Sequence, residues 1–500
     1  MQMQTGNLSN IFDLGKYDGS RQALRKMINS MSKDMHELKY EVTDITKVME
    51  KVRDKMQKYE QEGMHHPHKD HQWQELYRDM DFYDDVNGGQ KMDKEQTIRA
   101  RRDEMTYFKR RGVYSKVHKS EIKKTGGKVI SIKWVDTVKN GGVYRSRLVG
   151  RELKFDKRQD LFSPTPPREI MKMLIAKCAK SQSRRKPLRV GVFDISRAYF
   201  YAPCKRAIFI KIPMEDWEPG DEDMVGRLNL SLYGTRDAAQ NWAAAYSEYL
   251  EKNGFKKGKG SLCNFYHQAR DISLTVHGDD FLVVADMEQL KWLEGRLQDQ
   301  YEIKSTIIGP EGGLPKQANI LNRIIRWTTS GIEYEADPKH ANIIMEECEI
   351  MDSRPSKVTG VPEKFHDEDQ LELLDEASAT RFRAVAARTN YLAQDRTDLQ
   401  FAAKNLSRRM ARPTTLDWES AKKLARYLKL KPRAVQTFRF EEEDGQIRGY
   451  ADSDWAGEKA TAKSTSGGGT YVGLGIVEIL VHSSIHRRIE YGRGGALRLE

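Results

Sequence analysis

The run TVHGDDFLVV, residues 275–284, sets Asp279 and Asp280 side by side in an otherwise apolar stretch. A carboxylate in low-dielectric surroundings is costly unless it is paired or binds a metal ion. Few folds accommodate two of them there. One that does is a hairpin tip, because Gly278-Asp279 is good turn chemistry between two strands. Upstream, LRVGVFDISRAYFYAP runs apolar and strand-like up to Asp194. Two strands that each end in carboxylate, side by side in one sheet, would gather three acids that repel one another unless cations hold them.

Such a trio has a recognised chemistry. Mg²⁺ prefers oxygen ligands and commonly binds one or two carboxylates together with substrate phosphates. Two such ions, about 3.5–4 Å apart, stabilise the attacking and leaving oxygens of an in-line phosphoryl transfer. Charge supports a phosphate-bearing partner. The 500-residue chain has a net charge of +12, and residues 101–160 alone hold 18 Lys or Arg against 7 Asp or Glu. That is the footprint of a phosphate-backbone binder, though a solvated basic face would give the same count. Metal-assisted polymerisation or hydrolysis of nucleic acid is the leading class.

Other classes are disfavoured. Cys178, Cys204, Cys263 and Cys348 are scattered and form no metal-binding set, so they read as reduced thiols. No apolar run reaches the roughly 20 residues that span a bilayer, and no signal-peptide core opens the chain. An intracellular protein with no membrane role is expected, cytoplasm and nucleus being indistinguishable.

The N-terminal segment has its own rhythm. Leu24, Ile28, Met31, Met35, Leu38, Val42, Ile45, Met49, Val52, Met56 and Tyr59 recur at alternating steps of four and three. This predicts a coiled coil over 20–62 and self-association through it, against the alternative of an amphipathic helix packed on the chain's own body. His65, His66, His68 and His71 cluster around Pro67 without a completing ligand set, so 63–100 reads as a polar linker. Beyond it, GGKVISIKWVDTV and GVYRSRLVG read as a basic hairpin, and PPREIMKMLIAKCAKSQ and DAAQNWAAAYSEYLEKNGF as helices. An α+β domain is expected, with an antiparallel sheet and helices on one face. Residues 376–430 read as mainly helical, and IRGYADSDWAG opens a new β segment.

The ordered set VYRSRLVGRE, LFSPTPPREI, VFDISRAYFYAP, LNLSLYGTRDAAQNW, VHGDDFLVV, YLAQDRTDLQFAAKNLSRRMARPTTLDWESAKKLARYL and GYADSDWAGEKATAKSTSG resembles the reverse transcriptase and RNase H region of copia-type LTR retrotransposon Pol polyproteins, over about residues 100–485. The resemblance implies an RNA-directed DNA polymerase with a right-hand fold: fingers and palm over 101–350, thumb and connection over 351–440, and a truncated RNase H-like segment over 446–500. It implies an RNA or DNA template with primer, dNTPs, and Mg²⁺ with Mn²⁺ as a substitute. Asp194, Asp279 and Asp280 match the family's catalytic metal ligands. Tyr199 matches the aromatic residue under the incoming sugar, where a ring would clash with a 2′-hydroxyl. Arg145 and Arg147 match fingers positions that would hold the triphosphate.

Three positions depart from the pattern. His277 and Gly278 stand where the family has Tyr and Val or similar. Asp237 stands at a nucleotide-binding position where the family has Gln; an acid there would repel triphosphate, so either Arg236 compensates or the copy is impaired. Asp452 matches the first RNase H carboxylate, but IEYGRGGALRLE stands where the family has its Glu-bearing helix. A change of reading frame in the gene is the expected cause. RNase H activity is therefore not expected, and Val472, Ile476 and Leu480 are expected to be poorly covered. The alternative to the polymerase is a catalytically decayed remnant that only binds nucleic acid.

Overall fold

The computed structural model describes Tyr77 and residues 80–487, apart from 87–88, 140, 154–160, 361–371, 443–445, 455–462 and 474. The coiled coil expected over 20–62 and the tail around Glu490 lie outside the described residues. The chain forms two compact units, Met1–Met105 with Val135–Arg147, and Thr106–Trp134 with Leu148–Glu500.

In the first unit, β1 (Phe82–Tyr83) pairs antiparallel with β2 (Lys91–Met92), and helix α1 (Lys94–Arg111) starts there. Tyr77, Phe82, Met92 and Ile98 form a small core with Val138 and Tyr144. Arg101 is buried in it, paired with Asp136 at 2.5 Å, its guanidinium 4.6 Å from the Phe82 ring centroid. Two buried charges are tolerated because each satisfies the other. The polar linker expected over 63–100 is thus a packed element from Phe82 onward.

In the second unit, β3 (Tyr114–His118) and α2 (Ser120–Thr125) precede the long strands β4 (Lys128–Lys139) and β5 (Val143–Arg151), whose tips belong to the first unit. Gly141 and Gly142, at φ +90° and +76°, make the turn that only glycine adopts readily. Then follow α3 (Arg168–Lys180), β6 (Arg189–Ile195), β7 (Ile208–Ile210), β8 (Met224–Leu228), α4 (Ala238–Lys252) and β9 (Lys256–Lys257). Next come β10 (Asn264–His267), β11 (Ile272–His277), β12 (Asp280–Ala285), α5 (Met287–Gln300) and β13 (Ile303–Ile308). One sheet has the order β3-β8-β7-β4-β5, which places the two basic strands side by side as the hairpin pattern predicts.

The larger sheet has the order β13-β6-β12-β11-β10-β9, every pair antiparallel. Its interior strand β6, RVGVFDI, is apolar on both alternating sets of positions, so both faces must be covered. Phe193, Ile195, Phe281 and Val283 meet Trp242, Tyr246 and Leu250 of α4 and Leu290, Leu293 and Leu297 of α5. On the other face, Val190, Val192, Leu282 and Val284 meet Ile175 and Ala179 of α3. The α+β class holds, but helices cover both faces rather than one.

That second face also receives another sheet, of β14 (Gln317–Ile320), β15 (Arg323–Trp327), β16 (Gly331–Glu335) and β17. Between β16 and β17 the chain makes a helical excursion with its own core: α6 (Lys339–Glu347), α7 (Glu376–Ala393), α8 (Gln400–Arg408) and α9 (Thr415–Leu430). Thr414 and Asp417 start α9 with a capping box. Strand β17 (Val435–Arg439) then pairs with β16.

A three-stranded sheet follows: β18 (Ile447–Ser453), β19 (Lys463–Val472) and β20 (Gly475–Arg487). It is better covered than its sequence predicts. Val472 packs against the core beneath α3, Ile476 is half-buried and Val477 fully buried, and Leu480 alone of the three expected residues is exposed. Cover comes from α3, α8 and β17, along which β20 lies.

Candidate active site

The acidic trio assembles at one end of the larger sheet. Asp280 on β12 and Asp194 on β6 are direct cross-strand partners. The same row extends to His277 on β11, opposite Asp280, and to Lys304 on β13, opposite Asp194. Asp279 occupies the β11–β12 turn, where its carbonyl accepts the Ile195 N–H at 2.9 Å. All three aspartates are half-buried. Burial, then the charges of Asp279 and Asp194, push the Asp280 carboxyl up to about 7. Like charges this close cannot all ionise without cost.

Gly278 explains one departure in the sequence. It sits at φ +65°, while a Cβ built on it would meet nothing within 4 Å. Backbone conformation, not space, selects glycine here. Its carbonyl accepts a hydrogen bond from the Trp242 indole at 2.7 Å. His277 is held below its ordinary value by burial first, then by Arg323 and Arg168, with Asp279 pulling the other way.

Tyr199 lies in the 3₁₀ turn Ala198–Tyr201 that follows β6, half-buried, its ring centroid 4.6 Å from that of Tyr233. Burial and the nearby Asp279 charge raise its phenol. Arg197 opens this turn at φ +52°, a conformation non-glycine residues adopt rarely, and its guanidinium sits 4.0 Å from the Tyr107 ring centroid.

Asp237 has its charge answered by Arg206. Arg206 donates to Asp237 at 2.6 Å and forks onto Glu152 at 2.9 and 2.8 Å. The Arg236 backbone N–H donates to Glu152 as well. Burial alone would raise the Asp237 carboxyl; the Arg206 bond and charge overcome it and hold it low. Arg145 and Arg147 stand half-buried on one face of β5, in the first unit. Asp452 is exposed on β18, opposite Gly467.

Part of the basic excess is consumed internally. Lys109 pairs with Asp216, Lys116 with Asp221 at 2.6 Å, and Arg101 with Asp136. Sequence reasoning also missed a buried knot on the second face of the sheet. Asp395 accepts from Arg323 at 2.8 Å, Tyr334 at 2.6 Å and Arg168 at 3.3 Å. Arg168 opens α3, while Arg323 and Tyr334 lie on the paired strands β15 and β16, all remote from Asp395 in sequence, and no local spacing signals them.

Among the described residues, no group of three or more His, Cys, Asp or Glu side chains is placed to hold a metal ion without further ligands. What the trio offers is a facing pair of carboxylates with a third on the adjoining turn. That suits a hard cation which draws its remaining ligands from water and substrate.

Residues 115–309 match the family described as reverse transcriptase (RNA-dependent DNA polymerase). The match takes in the whole of the larger sheet. The chain is 25% identical over 392 residues to the retrovirus-related Pol polyprotein from transposon TNT 1-94 of Nicotiana tabacum, covering 75% of this chain and 28% of that protein. It is 23% identical over 367 residues to the Pol polyprotein from transposon RE2 of Arabidopsis thaliana, covering 69% and 23%. The chain thus spans about a quarter of the length of these relatives. A solved foamy viral protease–reverse transcriptase in complex with double-stranded DNA superimposes at a TM-score of 0.40 with 11% identity, over 78% of this chain and 56% of that one. So loose a likeness adds nothing to the family match. Residues 115–309 thus match a reverse transcriptase domain, in a chain similar to the Pol polyproteins of copia-type retrotransposons.

Proposed function

We propose that this chain is an RNA-directed DNA polymerase that extends a primer on an RNA or DNA template. The primer 3′-hydroxyl attacks the α-phosphate of a dNTP, and pyrophosphate leaves. The observation that carries this reading is the register of β12 on β6, which makes Asp280 and Asp194 face each other beside Asp279.

Asp194, Asp279 and Asp280 are the proposed holders of divalent cations, Mg²⁺ with Mn²⁺ as a substitute. The donor set fits, being all oxygen, with the Asp280 carboxyl raised to about 7 by burial first and then by the charges of Asp279 and Asp194, a cost that a bound cation offsets. Bound there, the cations supply positive charge to the attacking and leaving oxygens. The remaining roles belong to the chain's own side chains. Tyr199, wedged against Tyr233, sits under the sugar and excludes a 2′-hydroxyl. Arg145 and Arg147 grip the triphosphate by charge-assisted hydrogen bonds. Asp237, neutralised by Arg206, shapes the nucleotide pocket without repelling its ligand. Positioning and electrostatics supply most of the acceleration.

Self-association through residues 20–62 and an intracellular setting complete the reading. Among the described residues, no helix is long and apolar enough to cross a membrane. A homopolymer primer-extension assay tests the activity. Incorporation of dNTPs with Mg²⁺ or Mn²⁺ is expected, and none with either ion would leave only a nucleic-acid-binding remnant.

A further inference from the structure

We infer that Trp242 is a positioning residue for the polymerase reaction, acting on the catalytic turn through its indole N–H. The inference rests on the polymerase reading above. Gly278 is the pivot between His277 and Asp279, and with no side chain it is the most permissive residue the turn could carry. Nothing packs where its Cβ would be. Hydrogen bonds from two earlier elements of the chain restrain the turn. The Ile195 N–H, one residue after Asp194, holds the Asp279 carbonyl at 2.9 Å. The Trp242 N–H holds the Gly278 carbonyl at 2.7 Å.

Trp242 is itself fixed. It is 1% exposed, and its ring meets Tyr246 and Tyr301 edge-on, at centroid distances of 5.5 Å each. Tyr301 closes on Tyr201 in the same manner at 5.0 Å, so the indole belongs to an aromatic stack tied to the turn that bears Tyr199. Helix α4, begun by the neutralised Asp237, thus delivers a rigid donor to the glycine joint of the acidic trio. A catalytic group must be held to within about half an ångström of its working geometry by a packed supporting shell. Trp242 supplies that support from 36 residues away in sequence.

The test separates the N–H from the ring. Trp242→Phe removes the donor with some loss of volume. Site-specific incorporation of 3-benzothienyl-L-alanine at 242 replaces the N–H with sulfur in a ring of nearly the same shape. Hydrogen–deuterium exchange over 272–285 and primer extension are measured on the full chain for each. In both variants, exchange at 277–280 should quicken roughly five- to tenfold, the scale of one lost hydrogen bond. Exchange along β6 should stay at the parent level. kcat should fall by a similar factor while the KM for dNTP stays within about twofold. Unchanged exchange at 277–280 in the sulfur isostere overturns the inference, as does quickened exchange with parental kcat. A parent without polymerase activity fails the polymerase reading instead, and the exchange measurement then decides alone whether the indole fixes the turn.

Discussion

Arg206 binds Asp237 at 2.6 Å and Glu152 through both terminal guanidinium nitrogens, so that one cation serves two buried carboxylates. An acid at position 237 is tolerable in the proposed nucleotide pocket because Arg206 already answers its charge. Arg206→Met leaves two buried acids unpaired, and removing one partner of a buried ion pair typically costs about 3–5 kcal/mol. Urea unfolding should register a loss on that scale. A loss below about 1 kcal/mol would mean that the triad does not hold the pocket together.

The same triad fixes a pH dependence. Hydrogen bonding from Arg206 holds the Glu152 carboxyl below its usual range, and Asp237 is lowered against the opposing effect of burial. Groups with depressed folded-state values contribute stability above their ordinary carboxylate values, 4.5 for Glu152 and 3.8 for Asp237, and lose it as pH falls through the folded ones. The parent should therefore lose stability below about pH 4 more steeply than a Glu152→Gln, Asp237→Asn double variant. Parallel acid-unfolding curves would contradict this.

Tyr199→Ala should admit ribonucleotides while deoxynucleotide use persists. Tyr199 rests on Tyr233, so its ring cannot swing freely out of the way of a 2′-hydroxyl. Comparing dATP with ATP incorporation measures it. Unchanged discrimination would remove Tyr199 from sugar selection.

Template–primer affinity should survive Asp279→Asn, because it rests on Lys and Arg contacts to phosphate. It should fall roughly tenfold or more between 50 and 200 mM salt, as counterion release requires when several phosphates are neutralised. The internal pairing of Lys109, Lys116 and Arg101 removes these from the set of contacts. A flat salt response would contradict a phosphate-backbone partner.

Much of the site was legible because its signals are local. Two charges in an apolar run, a Gly-Asp turn and a strand ending at Asp194 all lie within short windows. The exact pairing was not: the register that sets Asp280, rather than Asp279, opposite Asp194 is decided by the meeting of distant strands. Arg206 with Asp237 and Glu152, and Asp395 with Arg323, were invisible for the same reason, since ion pairs across the fold leave no periodic trace. Counting basic residues overstated the free positive charge, because composition cannot see which lysines meet an aspartate. Cover on both faces of the sheet could have been read from β6, whose apolar residues occupy both alternating sets. Coverage of Val472 could not, because it depends on α3, remote in sequence.

Primer extension by Asp280→Asn on an RNA template with Mg²⁺ tests the central claim most directly. The substitution keeps the size of the side chain and its place opposite Asp194, and removes only the charge. Extension should fall by roughly a hundredfold to a thousandfold or more, the scale of losing one preorganised electrostatic group at the reacting centre, with template–primer binding retained. Extension at the parent rate would contradict the assignment of the acidic trio as the catalytic centre.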